Sequence, residues 1–381
     1  MQKKTIIVGG GMAGMACAMQ LLEAGRDFLL ITDVLGGRIM YSEEAKVNFG
    51  AYFVMGNYKH AKELLIQEDL LNPLQVCFHN SDTERFTVLS LHTLTLLPQF
   101  IRFFLAMRQF SSHYEKFKQR CLTIPLKAAL KADPYMADIF TKPATQFARE
   151  KGYEEFSADY VSKFMYACTG ASTDDVKALD FLNVSMGLMV PIHRFKFDRQ
   201  AMTERLGERL VTDTITQIEK RDGGYTLTGK SGSTYLAENV VVATPAAVTK
   251  ELLELAEIRA ACKIYAYHVR AELKPIYQKY EINLFPHSSE IMLTAKQFDG
   301  TYLVYSREKG ADLGKVCTSF KILSSVFWEQ AMYVYGPAYL EQQFAERVFV
   351  AGDHNGLGLE PTAISGIFAA NQIIHHPELD S

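Results

Sequence analysis

Tryptophan is almost missing, one residue in 381, and cysteine is sparse at six. The cysteines stand at 17, 77, 121, 168, 262 and 317, with no C-x-x-C pair and no His/Cys cluster of zinc spacing. That pattern excludes a disulfide framework and a structural zinc site, and it fits a reducing compartment. Neither sign of charge dominates: 40 Lys and Arg face 43 Asp and Glu, a formal net charge of −3. A nucleic acid or other polyanion partner is therefore not expected. No apolar run is long enough to span a bilayer, so no transmembrane segment is expected. Met1-Gln2-Lys3-Lys4 leads straight into an apolar run, so no signal peptide is expected and the chain reads as cytoplasmic. Repeats, low-complexity segments, a Ser-His-Asp arrangement and metal-ligand spacings are also missing.

What is present is apolar material, 48% of the residues, ample for one large or two medium cores. The most informative stretch is the first forty residues. Lys4 to Val8 is a short apolar run. Gly9-Gly10-Gly11-Met12-Ala13-Gly14 follows, and Met15 to Leu22 reads as a helix. Gly9, Gly11 and Gly14 have the spacing G-x-G-x-x-G in the strand–turn–helix context that this motif requires. The first glycine permits the tight turn, the second admits a pyrophosphate to the backbone, and the third lets helix and strand pack closely. Met12 and Ala13 belong to this turn, and the helix that follows presents its free N–H groups and positive dipole end to the phosphates. A second apolar run, Phe28 to Ile31, ends at Thr32-Asp33, where a ribose-binding carboxylate is expected about 20 residues on. Leu35-Gly36-Gly37-Arg38 adds a second glycine turn that a site for NAD alone does not need.

The far end completes the pattern. Arg347 to Asp353 reads as a strand ending in Gly352-Asp353, and Glu360 to Asn371 as a loop opening a small-residue helix. Together these features resemble the flavin-containing amine oxidase and phytoene desaturase superfamily. The resemblance implies noncovalent FAD, because no Ser-Gly-Gly-Cys attachment sequence is present. It implies that the first glycine turn holds the pyrophosphate and that Asp33 holds the adenosine ribose. It sets Gly36, Gly37 and Arg38 against the diphosphate and flavin, and Gly352 and Asp353 beside the ribityl chain. It points the helix start at Thr362 and Ala363 toward the flavin ring. Leu210 to Ile218 looks like the family's strand that reaches the adenine, through the backbone of Ile215. Val240 to Pro245, with Ala243 at its end, resembles the buried strand that closes the flavin domain.

The expected fold is α/β. A Rossmann-like FAD-binding domain comprises residues 1–75, 195–255 and 340–381. An inserted mixed β-sheet plus helical substrate domain comprises 76–194 and 256–339. From about Asp82 to Leu188 the pattern is mostly helical. Phe100, Phe103, Phe104, Met107 and Phe110 are expected on one face, with Arg102, Arg108 and Gln109 off it. That stripe reads as core, with a peripheral membrane contact as the alternative. Segments around Tyr265–Val269, Ile291–Thr294 and Thr301–Tyr305 read as strands.

The catalytic side chains are less clear. Lys263 resembles the family lysine that holds a water at the reactive flavin nitrogen, while an exposed strand lysine is the competing reading. His268 reads as a satisfied or surface histidine. Two departures from the family pattern stand out. Gly356 to Glu360 lacks the aromatic wall of the amine-binding cage, which Tyr333, Tyr335 or Tyr339 could replace. Pro191-Ile192-His193-Arg194-Phe195 replaces the usual glycine-rich segment, which leaves the loop around His193 and Arg194 distinctive. The leading expectation is a hydride-transferring oxidoreductase that dehydrogenates a largely apolar or amine substrate at a C–N or C–C bond. A terpenoid desaturase or isomerase, and a flavin-binding partner protein without turnover, are the alternatives.

Overall fold

Ile6, Ile7 and Val8 have no polar partner to offer, so this run is stable only as a strand covered on both faces. The computed structural model, which describes residues 2–81 and 83–375, buries all three. Met1, Asp82 and residues 376–381, which the segments assigned above include, lie outside the described residues. Strand β1 (Gln2–Val8) leads through helix α1 (Met12–Glu23) to β2 (Phe28–Thr32), and β1 and β2 pair in parallel. The sheet continues with β3 (Leu210–Thr212), the strands β4 (Ile215–Arg221) and β5 (Gly224–Gly229), β6 (Thr234–Val242), β7 (Gln343–Ala345) and β8 (Val348–Val350). Its parallel order is β3-β2-β1-β6-β8. The β4–β5 hairpin pairs antiparallel with the first half of β6, and β7 with β8.

The run from Leu210 to Ile218, read as one strand, is two. It breaks at Asp213-Thr214, because β3 follows β2 while β4 departs into the hairpin. Asp213 holds the corner. Its carboxylate accepts from Ser231 Oγ at 2.6 Å, from Tyr235 Oη at 2.8 Å and from the Thr214 amide at 2.8 Å. The Ser231 bond leads this set, which holds the carboxyl down at about 2.

A second, seven-stranded sheet takes its strands from elsewhere in the chain. In order it runs Cys317–Tyr335, Ala260–Leu273, Tyr302–Ser306, Ile291–Lys296, Ile282–Leu284, Val76–His79 and Arg85–Phe86. It contains the three strands anticipated from the pattern and a nineteen-residue edge strand that was not anticipated. Strand Ile192–Lys196 joins a small third sheet with Val54–Met55 and Ile66–Leu70. Helices α2 (Leu91–Thr95), α3 (Leu97–Cys121) and α4 (Ala178–Ser185) belong to the helical insert.

The last helix, α5 (Leu359–His375), packs on α1. The two cross so closely that a Cβ on Gly366 would run into the backbone oxygen of Ala13. On α3, Phe103, Met107 and Phe110 are buried as anticipated, but Phe100 and Phe104 are exposed. Phe104 follows Phe103 by one residue, hence by about 100° around the helix, which takes it off the buried face.

Candidate cofactor site

The N-terminal glycines form a tight turn, with Gly10 and Gly14 buried and Gly9 and Gly11 half-buried. The Gly9 amide donates to Ile31 O at 2.8 Å, which ties the turn to β2. A Cβ on Gly14 would collide with Gly9 O, so that position is closed to every other residue. Gly11 differs, because a Cβ there would meet nothing within 4 Å. It lies at the N-cap of α1, whose first amides, including those of Met12 and Ala13, have no acceptor within the helix. An open cradle floored by free N–H groups is what a diphosphate requires.

The second glycine turn lies on the first. The Gly36 amide donates to Gly10 O at 2.8 Å, and a Cβ on Gly37 would stand 3.2 Å from Gly11 Cα. Ala243, one residue beyond β6, donates its amide to Val8 O at 2.8 Å and so closes the floor under Gly9. Asp33 is exposed at the end of β2, where its carboxylate accepts from the Val34 amide at 2.8 Å. Ile215 is buried at the start of β4.

Arg38 and Asp353, 315 residues apart, meet in a bidentate pair of 2.6 and 2.7 Å. Arg38 also donates to Ala331 O at 2.6 Å, and its guanidinium lies 5.8 Å from the Tyr333 ring centroid. The Asp353 side chain is only 6% exposed. Burial alone would raise its carboxyl, but the Arg38 charge and hydrogen bonds outweigh burial and hold it below the ordinary carboxylate range. Next to it, burial pulls the His354 ring below the usual histidine range, and both its nitrogens lack a hydrogen-bond partner. The Gly352 amide donates to Ser365 Oγ at 2.8 Å, which fixes the Gly352-Asp353 turn to α5. Thr362 Oγ1 donates to Gly358 O at 2.8 Å, and Ala363 is buried.

Three supports of this site had no sequence signal, because their partners are remote in the chain. Asp180 of α4 pairs with buried Arg259 at 2.7 Å and accepts from the Leu357 amide at 3.1 Å. The buried carboxylate of Glu360 accepts from the amides of Lys59, His60 and Ala61. Asn183 donates to Leu357 O at 2.6 Å. Together they pin the loop after Asp353 to the helical insert and to the 59–61 turn.

Lys263 does not join the site. It sits at a bulge in strand Ala260–Leu273, its side chain is 58% exposed, and it pairs with exposed Glu329 at 3.1 Å. The register shifts beside it, between Cys262 and Ile264, and its exposure fits the reading of an exposed strand lysine, not the one in which it holds a water at the flavin. His268 is buried and satisfied by Thr301 at 2.7 Å. His193 reaches Glu68 O at 3.3 Å, and Arg194 reaches the Tyr52 hydroxyl, Asp69 and Lys296 O, so both tie the third sheet together. Tyr333 is fully buried, whereas Tyr335 and Tyr339 are half-buried. Among the described residues no His, Cys, Asp and Glu cluster could hold a metal ion.

The family model described as flavin containing amine oxidoreductase matches residues 12–274. The chain belongs to this family. It is an FAD-dependent oxidoreductase, and the open Gly11 cradle fits the diphosphate of that cofactor. Solved structures give the same fold across the chain. A CLA-producing fatty acid isomerase from P. acnes superposes with a TM-score of 0.70 at 16% identity, covering 96% of this chain and 97% of that one. Wild-type putrescine oxidase bound to putrescine gives 0.68 at 13%, covering 98% of each chain. Cyclohexylamine oxidase from Brevibacterium oxydans gives 0.65 at 14%, covering 100% of each. At these identities the likeness is one of fold. No curated protein sequence gives a significant match.

Proposed function

We propose that this oxidoreductase dehydrogenates a largely apolar organic substrate at a C–N or C–C bond by hydride transfer to noncovalently held FAD. When bound, FAD supplies the hydride acceptor. The chain supplies the cradle. Gly9, Gly11 and Gly14, with the amides of Met12 and Ala13, take the diphosphate. Asp33 takes the adenosine ribose and the Ile215 backbone the adenine, with Ala243 beneath. Gly36, Gly37, Arg38, Gly352 and Asp353 form the opposite rim. Thr362 and Ala363, at the start of α5, set its positive dipole end toward the ring. The division into a cofactor part (1–75, 195–255, 340–381) and a substrate part (76–194, 256–339) belongs to the same reading. It is supported by the two large sheets, which draw their strands from these segments.

The observation that carries the substrate class is the missing aromatic wall before Glu360. Gly356-Leu357-Gly358-Leu359 carries no aromatic side chain, and Tyr333 is buried against Arg38. A small polar amine would find no pair of aromatic walls there. Noncovalent attachment is supported by the cysteines, of which five are buried and Cys168 is half-buried. The test is anaerobic bleaching of the bound flavin by a panel of apolar amines, unsaturated fatty acids and terpenoids, with putrescine as the polar control. An apolar member should bleach the flavin and putrescine should not. Bleaching by putrescine alone would refute the substrate class.

A further inference from the structure

A cavity of about 60 Å³ lies between α3, α4, α5 and the turn after β8. One water needs about 10–15 Å³ of such space, so there is room for about four, or for a molecule of about four to six heavy atoms. The cavity stands apart from the glycine cradle. Gly366 faces α1 at the helix crossing, whereas Ile364 and Ser365 line the cavity. They stand about 200° and 100° around α5 from Gly366. No residue of 9–14 or 36–38 borders the cavity.

Phe117, Leu179, Leu340 and Ile364 make apolar walls, and two buried cationic or titratable side chains border the space, Lys118 at 4% exposure and His354 at 6%. Neither His354 nitrogen has a hydrogen-bond partner among the described residues. Burial holds the ring below the usual histidine range, so at neutral pH it is uncharged, with one N–H to donate and one nitrogen to accept. Lys118 follows Glu115 by one turn of α3 and pairs with it at 2.8 Å. An ammonium has three N–H donors, so this one contact leaves others unused. Glu115 is shared with Lys59 at 3.7 Å, and these three side chains together carry one positive charge in excess. Asp180, the one carboxylate bordering the cavity, is already held by Arg259 at 2.7 Å and by the Leu357 amide at 3.1 Å. Asn183, Gln342, Asn355 and Ser365 engage backbone groups. The groups left to meet a ligand are thus a cation, a neutral imidazole and hydrocarbon. A small acid complements all three, since its carboxylate accepts from both donors and its short chain fills the apolar side.

We propose that this cavity is a binding site for a short-chain organic carboxylate, of acetate to butyrate size, with Lys118 as its charge partner and His354 as its hydrogen-bond donor. The inference does not depend on which bond the enzyme oxidises. The test is calorimetric titration of the full, flavin-loaded chain at neutral pH with propionate, and with propionamide as a neutral molecule of the same shape. Propionate should bind saturably and at least about tenfold more tightly than propionamide, because a charge-assisted hydrogen bond is about twice as strong as a neutral one. Lys118→Met keeps the apolar stem and removes the donors. It should weaken propionate binding at least about tenfold at unchanged flavin content. Leu340→Phe, which adds bulk inside the cavity, should weaken both ligands. The comparison of acid with amide on wild type decides the matter even where a variant fails to fold. Absence of saturable propionate binding to wild type, equal affinity for the amide, or undiminished propionate binding by either folded variant would overturn the proposal.

Discussion

With both carboxylate oxygens on Arg38, Asp353 is first a partner for that guanidinium and only through it a cofactor residue. Asp353→Ala would leave Arg38 partly buried without its bidentate acceptor. Loss of a charged hydrogen bond costs about 1.5–3 kcal/mol, so FAD affinity should fall roughly 10- to 100-fold. Titration of apo-protein with FAD measures this, and unchanged affinity would restrict the pair to folding. Lys263→Met carries the opposite expectation. An exposed pair with Glu329 is worth little, so flavin reoxidation by oxygen should proceed at the wild-type rate in stopped flow. A clear slowing would return Lys263 to the chemistry. The glycines were legible because their spacing is local. The Arg38–Asp353 pair was not, since nothing in either segment announces a partner 315 residues away. The orientation of Lys263 was hidden by a register shift, in which Lys263 alone stands opposite residues 329–331 of the neighbouring strand, without a sequence mark of its own.

At the scale of elements, α1 and α5 pack in close contact at Gly366. Gly366→Val would force a branched side chain into the Ala13 carbonyl and separate the helices. The cost should exceed about 3 kcal/mol, seen as a large drop in melting temperature, whereas an unchanged midpoint would mean that the crossing is loose. The small residues of α5 were readable as a helix, but the helix it meets was not. The pattern on α3 was half legible. Its buried stripe follows the helical period, but the second apolar face becomes visible only when solvent exposure separates Phe104 from Phe103. The edge strand Cys317–Tyr335 escaped notice because nine of its residues from Thr318 to Glu329 are exposed. It therefore lacks the alternation that a half-buried strand displays.

For the whole molecule, titration and cofactor binding report on the same assembled core. Burial lowers His354, His268 and His287, so the folded chain resists protons that the unfolded chain accepts below the ordinary value of 6.5. Their contribution to stability is therefore present above about pH 6.5 and lost as pH falls. The melting temperature should decline on acidification through that window, and His354→Leu should flatten part of the decline; a slope unchanged by that substitution would remove His354 from the explanation. The two-sheet architecture was legible from the order of its motifs, because each flavin-site piece is a short local pattern. How those pieces meet depended on side chains such as Asp180, Arg259 and Glu360, whose partners lie in other parts of the chain. The most direct test of the account is the flavin content of purified protein and of Gly11→Val, read from visible absorbance before and after acid precipitation. Wild type should carry stoichiometric FAD that is recovered free in the acid supernatant, and Gly11→Val should be colourless, because the valine side chain fills the open cradle. Full flavin occupancy in Gly11→Val, or flavin that stays with the precipitated chain, would contradict it.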